Sequence, residues 1–332
     1  MRSSRAVLAV LAFTSLSLNA RDLRLDNTSG LWEVRILSKV GFIDASGRPA
    51  IPARYDEAGF FSEGLCPVRQ GAMWGYIDVL GKPAIPARFE WAGPFSGGLA
   101  AVGLKGRMGY VDRTGRPLDV PGVEEAGPFR EGLARVRAGG SWGFIDSKGS
   151  RALPARFEAA GDFYEGLAAV RVRGLWGYID RQGRVVIPPR FGEAMEFQES
   201  RAVVRMPGGA AYIDRRGMAL LGGRVFQEAQ RFSEGLAAVR MSPSGRFGYI
   251  NAEGTAVVMA LYDDALPFNE GLAAVRRGEL WGYIDKRGAT AVEFRFQGAD
   301  HFINGLARVV LGGRECYIDR GGRVVWEPGM VR

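Results

Sequence analysis

Histidine and cysteine are nearly missing from this chain: His301 is the sole histidine, and Cys66 and Cys316 are the two cysteines, in 332 residues. That scarcity leaves a zinc site or a histidine-activated nucleophile almost nothing to work with. Long apolar runs are lacking too. The one candidate, Ala6 to Leu18, has 13 residues, is preceded by Arg2 and Arg5, and leads into Asn19-Ala20. It is too short to span a bilayer and has the layout of a secretory signal peptide over residues 1–20. An exported protein is therefore expected, periplasmic, cell-surface or secreted, with no transmembrane segment in the mature chain.

A helical 3.6-residue apolar period is absent over any useful length. No glycine-rich loop opens a helix, so phosphate cradling is unsupported, and no cofactor or metal is expected. Neither sign of charge dominates: the formal net charge is +8, and Arg2 and Arg5 would leave with the signal. That balance favours anionic partners only weakly, and export makes nucleic acid a poor candidate. Both cysteines occupy slots that hold small residues elsewhere, such as Ala100 and Ala168 for Cys66 and Gly75 and Gly282 for Cys316. Packing is the expected role of each.

What the chain does have is one phrase, repeated. An aromatic, Ile or Val, an acid, two free residues and a glycine recur, with Asp44, Asp78, Asp112, Asp146, Asp180, Asp214, Asp285 and Asp319 as the acids and Asn251 in the same position of the seventh unit. These lie 34 residues apart at every step but one, where the spacing is 37. A fixed period of this size marks tandem-repeat architecture. Within a unit such as 166–191, three short strands are expected: Leu167 to Arg171, Leu175 to Asp180, and Arg184 to Ile187, reaching toward Phe191. Each is rich in β-branched and aromatic residues and bounded by glycine. Asp-x-x-Gly suits a type I turn, with the acid bonding backbone N–H groups and the glycine taking the left-handed position. A second landmark, Phe-x-x-Gly-Leu, joins the units, with Phe163 and Leu167 as one example. Its aromatic is expected to pack into the neighbouring unit. Glu63, Glu131, Glu165, Glu199, Glu234 and Glu270 fall within this loop and are expected to cap it.

Trp-Gly-Tyr-Ile-Asp, then Ile-Pro-x-Arg-Phe, then Phe-x-Glu-Gly-Leu-Ala-x-Val resembles the bacterial WG-repeat, or KWG-repeat, family. The resemblance covers about residues 31–332. Its implication is a β-rich repeat array, commonly exported or surface-associated, with no established enzymatic activity and no catalytic residues to carry over. The fold expectation is thus all-β: a single array over 21–332 of nine three-stranded β-meander units, the first from about residue 31. Units around 99–128, 201–231, 236–267 and 306–332 are degenerate. Thirty-four residues and three strands fall short of a common four-stranded propeller blade, and no unit is split between the termini. An open, twisted stack is favoured on those grounds, with a closed propeller-like ring as the alternative.

Two candidate surfaces emerge. Arg54, Arg88, Arg156, Arg190, Arg224 and Arg295 each follow the repeat acid by ten residues. Arg69, Arg137, Arg171, Arg205, Arg240 and Arg276 follow the first strand. Stacked in register, each set would form a ladder, either paired with local carboxylates or offered to a polyanion or acidic protein through many weak contacts. Trp74, Trp142, Trp176 and Trp281 share a slot that elsewhere holds Val40, Met108, Ala210, Phe247 and Glu315. That tolerance favours packing, with an aromatic platform for cell-wall glycan as the alternative. The expected function is a non-enzymatic interaction scaffold for a protein or anionic envelope polymer. A hydrolase built from dispersed carboxylates is the remaining alternative.

Overall fold

The computed structural model describes residues 29–330, so the proposed signal peptide at 1–20 lies outside the described residues. Blade 5 shows how one unit is made. Its strands are Ala159–Ala160, Leu167–Val172, Leu175–Asp180 and Val185–Phe191, antiparallel and hydrogen-bonded in chain order. The second and third are apolar on both faces because neighbouring blades cover both, as a sandwiched sheet requires. Between the third and fourth, Asp180 Oδ1 accepts from the N–H groups of Gln182 at 3.0 Å and Arg184 at 2.9 Å. Gly183, at φ +76°, supplies the left-handed position that lets the outer strand return. The same turn recurs at Asp44, Asp112 and Asp285.

The fourth strand corrects the expectation of three. It is the short inner strand, formed by the segment just ahead of the Phe-x-x-Gly-Leu loop and only two residues long at Glu57–Ala58 or Ala159–Ala160. Two residues leave no legible alternation, which is why the sequence shows only a loop there. In blades 3 and 4 the inner strands lengthen to Trp91–Ser96 and Glu125–Arg130, and these touch one another. The inner strands therefore converge on the axis, and the seven-residue strands lie on the perimeter.

The described residues form nine such sheets, seven of four strands and two of three. Each blade buries its face against the next. Leu133, Phe144, Leu153 and Phe157 of blade 4 pack on Phe163, Ala168, Val170 and Ile179 of blade 5. Across the eight junctions other than the blade 9–blade 1 seam, an aromatic of the repeated phrase meets the Phe of the next Phe-x-x-Gly-Leu segment edge-on or tilted, as Tyr178 meets Phe197 at 4.8 Å between ring centres. The tyrosine hydroxyl goes on to donate to a backbone carbonyl there: Tyr178 to Met195 at 2.6 Å, Tyr76 to Gly93 at 2.8 Å, Tyr283 to Asp300 at 2.8 Å. Burial drives these phenols' pKa values well above the ordinary range.

The array is a closed ring, not the open stack favoured from sequence. Blade 1, comprising Trp32–Ile36, Lys39–Ile43 and Pro49–Tyr55, packs against blade 9 through Trp32, Val34 and Ile43 on one side and Leu306, Tyr317, Val325 and Trp326 on the other. Trp32 Nε1 donates to Ile303 O at 3.1 Å, and Tyr317 Oη donates to Glu33 O at 2.7 Å. No strand hydrogen-bonds across this seam among the described residues, so the ring closes without a blade shared between its two ends. Side-chain packing closes the circle. The cysteines do not report on closure either, because both are buried and unbonded.

Outer strands are full length only in some blades. Blade 3 has Pro117–Leu118, blade 9 has Val324–Trp326, and blade 6 replaces the strand with a 3-10 turn at Leu221–Gly223. The glycine of Trp-Gly follows this division. A Cβ on Gly41, Gly75, Gly143, Gly177, Gly248 or Gly282 would lie 2.4–2.8 Å from a backbone carbonyl oxygen of the outer strand. Gly109 of blade 3 has nothing within 4 Å, and the corresponding residues of blades 6 and 9 are Ala211 and Cys316. Glycine is needed where a complete outer strand bulges against it.

Candidate binding surfaces

Every arginine of the first set lies on the perimeter, exposed, and bonded to the next blade. Arg54 Nη2 donates to Gly81 O and Arg190 Nη2 to Gly217 O, both at 2.6 Å; Arg156 Nη2 reaches Gly183 O at 3.2 Å. Arg88 and Arg295 make the same bond to Gly115 and Gly322, and Arg224 Nη1 reaches Gly254 O at 3.2 Å. Five of the six also stack on the adjacent ring of their own strand, at 5.0–5.2 Å from Tyr55, Phe89, Phe157, Phe191 and Phe296. The acceptor is always the glycine of the Asp-x-x-Gly turn. Two motifs that look separate in sequence are thus the two halves of one inter-blade clamp. A guanidinium offers five donors, so each head keeps several directed outward. The ring carries a belt of fixed cationic groups, interrupted at blade 3, at blade 9 and at blade 7, where Leu261 takes the slot beside exposed Val257 and Met259.

The second set lies on the second strand, cross-strand from the tryptophan slot, and five of its six members are ion-paired. Arg69 meets Glu57 at 2.6 Å, Arg137 meets Glu125 at 2.6 Å, Arg171 meets Glu158 at 3.6 Å, and Arg205 meets Glu193 at 3.7 Å. Arg240 pairs with Glu228, and Arg276 Nη1 donates to Gly278 O at 2.8 Å. These exposed pairs contribute about 0–1 kcal/mol each.

The tryptophans are not a platform. Trp176 and Trp281 are buried between blades, and Trp74 and Trp142 are half-buried against the same kind of cluster. The exposed tryptophan is Trp91, at 39 %, on an inner strand. Its slot otherwise holds Glu57, Glu125, Glu193, Glu228 or Asp264, and Ala159 or Gly298 in blades 5 and 9, a mostly polar pattern that could have marked it as outward-facing.

The loop glutamates cap turns, but across the junction and not within their own unit. Glu63 accepts from Gly97 N at 2.6 Å and Gly98 N at 3.0 Å. Glu131, Glu165, Glu199, Glu234 and Glu270 repeat this on Gly166, Ser200, Gly235, Gly271 and Gly305. A further set, Asp56, Glu90, Glu124, Glu158 and Asp263, caps the hairpin tips at Gly71, Gly106, Gly140, Gly174 and Gly278. The recurrent carboxylates are thereby engaged as turn and loop acceptors.

Two arginines break the pattern inside the ring. Arg135 reaches Asp162 of the next blade at 3.1 Å, and Arg308 reaches Asp300 of its own blade at 2.9 Å. Burial pushes the Asp162 carboxyl up, and Arg135 opposes the shift. Asp300 and Arg308 adjoin His301, itself 6 % exposed, around a small seam cavity of about 50 Å³ that Trp32, Phe60 and Tyr317 also line. That is room for a few waters, below the range of about 300–1,000 Å³ expected of a small-molecule site. No cluster of metal-ligating side chains and no helix long and apolar enough to cross a membrane occurs among the described residues.

The sequence that builds these blades matches a known family. The WG containing repeat family matches eight consecutive segments, from 41–73 through 281–314, and the chain belongs to that family. Among solved structures, the chain is similar to one described as the crystal structure of the eukaryotic initiation factor. The TM-score is 0.64 at 12% identity, covering 90% of this chain and 95% of that one. At this identity the likeness shows the shared ring fold alone. A dihydro-heme d1 dehydrogenase, NirN, in complex with DHE has a TM-score of 0.48 at 13% identity, over 90% of this chain and 73% of that one. A streptogramin B lyase has 0.37 at 10%, over 65% and 88%. Neither score carries an argument. No curated protein matches the chain.

Proposed function

We propose that this ring is an exported, non-enzymatic binding scaffold whose perimeter arginines take an anionic partner, an acidic protein or an envelope polymer. One observation carries the reading. Arg54, Arg88, Arg156, Arg190 and Arg295 are exposed yet held in place by a ring on one side and a neighbouring turn on the other. Long cationic side chains ordinarily lose rotamer freedom on binding, about 0.5–1.5 kcal/mol each. Side chains already fixed lose less, and several along one rim act together. Nucleic acid is not the partner proposed, since the expected leader directs the chain out of the cytoplasm.

The test separates binding from clamping. Arg88, Arg156 and Arg190 are changed together to Gln in one variant and to Lys in another, and retention on immobilised polyphosphate is measured against salt. Lysine keeps the charge and loses the planar fork, while glutamine loses both. Retention should survive in the lysine variant and fall in the glutamine variant. Equal retention in all three proteins would sink the belt as a binding surface. A glycan platform is a second reading, moved to exposed Trp91; Trp91→Ala with unchanged affinity for cell-wall fragments would remove it.

A further inference from the structure

Seven blades pair a Phe or Tyr with the tryptophan slot of the third strand, as Phe89 pairs with Trp74 and Phe191 with Trp176. That ring is a junction piece. Phe157 of blade 4 packs with Ala168, Val170 and Ile179 of blade 5, and Val172 adjoins the same cluster. Blade 3 breaks the rule. Its residue in this slot is Val123, 34 positions after Phe89 and 34 before Phe157. Val123 packs on Ala134, Val136 and Ile145, the blade 4 counterparts of those three residues. On the facing blade Ala138 takes the place of Val172. The arginine that stacks on the ring elsewhere is missing too, because Gly122, at φ +76°, turns the chain there.

Three truncations thus meet at one junction, and a cavity of about 160 Å³ lies between them, lined by Val120, Val123, Val136, Ala138 and Ile145. Val123, Val136 and Ile145 are buried and form its deep side. Pro121 and Arg151 are exposed and mark its solvent side, and Arg151 is the one charged residue of the wall among those described. Aliphatic walls facing a void forgo dispersion contacts that a fitting apolar guest restores. An apolar cavity of about 150 Å³ in another protein stays dry and takes up benzene.

We propose that the cavity between blades 3 and 4 binds a small, uncharged molecule with one aromatic ring, seated against Val123, Val136 and Ile145 where the sibling junctions hold their own Phe or Tyr. The occupant is a free small molecule, because the space matches a single ring and leaves no room for a peptide backbone beside it. The proposal does not depend on the arginine belt.

Ligand-observed NMR on the intact protein tests it, with toluene as the probe and N-acetylphenylalaninamide as competitor. Saturable toluene binding at millimolar concentration or below is expected, and the amide should not displace it. Val123→Phe, which restores the residue of the sibling blades, should abolish that binding and raise the melting temperature. Should this variant fail to fold, Ala138→Leu serves the same purpose, since Leu104 and Leu311 hold the matching position in blades 3 and 9. No toluene binding to the wild type overturns the proposal. So does binding undiminished in Val123→Phe or, where that variant does not fold, in Ala138→Leu. Displacement by the amide overturns it as well, in favour of a phenylalanine side chain supplied by a partner.

Discussion

The seam between blades 9 and 1 and the junction between blades 4 and 5 do the same job with different residues. Inside the ring a junction is assembled from letters that recur: the Phe that follows the inner strand, the perimeter arginine on a turn glycine, the loop glutamate on the next turn. At the seam two tryptophans carry much of the contact. Trp32 stands in a slot held elsewhere by Cys66, Ala100, Ala134, Ala168, Ala202, Ala237, Ala273 and Ala307, and Trp326 stands where Ile85, Ile187 or Val292 would be. Repetition builds the blades, and two departures from it close them into a circle.

The most damaging way to break that comparison is Trp32→Ala. It should cost about 3–5 kcal/mol, the usual penalty for truncating a buried aromatic, and should raise the radius of gyration as the ring opens. Trp176→Ala, at an internal junction, should cost a similar amount with no change in radius. Denaturant melts and X-ray scattering on both proteins decide it, and equal radii would make the seam an ordinary junction.

Next comes the ion pair. Arg135→Ala leaves the Asp162 carboxylate buried and unpaired, which should cost about 3 kcal/mol at neutral pH. The raised folded-state pKa of Asp162 means the folded protein holds that proton more tightly than the unfolded one. Stability lost at pH 7 should therefore return as pH falls through the folded pKa toward the unfolded value of about 4. A deficit independent of pH would contradict this. Arg308→Ala beside the seam should cost less, since Asp300 is more exposed than Asp162.

Smaller effects sharpen the contrast. Tyr178→Phe and Tyr317→Phe each delete one hydroxyl donor across a junction, and each should cost about 1 kcal/mol. Phe42 and Phe144 already occupy this slot without a hydroxyl, so both variants should fold. Arg190→Lys is the mildest change. Loss of the stacked fork should cost about 0.5–1 kcal/mol, read as a small drop in melting temperature.

Much of this architecture is legible in the letters. Asp180 and Gly183 announce their turn because a two-residue chemistry suffices to form it. The nine units and the packing of Phe163 into a neighbour follow from the period. Closure is not legible by period, because it depends on two residues that violate it, each at an end of the array. The inner strand escapes notice because Ala159–Ala160 is too brief to alternate. The arginine set shows as a ladder in sequence, yet its acceptor is a backbone carbonyl, which no side-chain pattern reveals. Trp176 and Trp281 are burial sites for the same reason that Val40 and Phe247 can replace them. Val123 is visible as an exception among aromatics, but the void beside it requires coordinates.

The glycine after each tryptophan has a reach beyond its own strand. Adding one methyl at Gly177 would press on Ile187 O and lift the edge that carries Arg190 away from Gly217. Damage at that point would therefore surface as a loosened bond in blade 6, one module downstream. Where the rim is cut short and the arginine is missing, at blades 3 and 9, this transmission line is absent. Those two positions are the places where a label or an inserted side chain should leave the rest of the circle undisturbed.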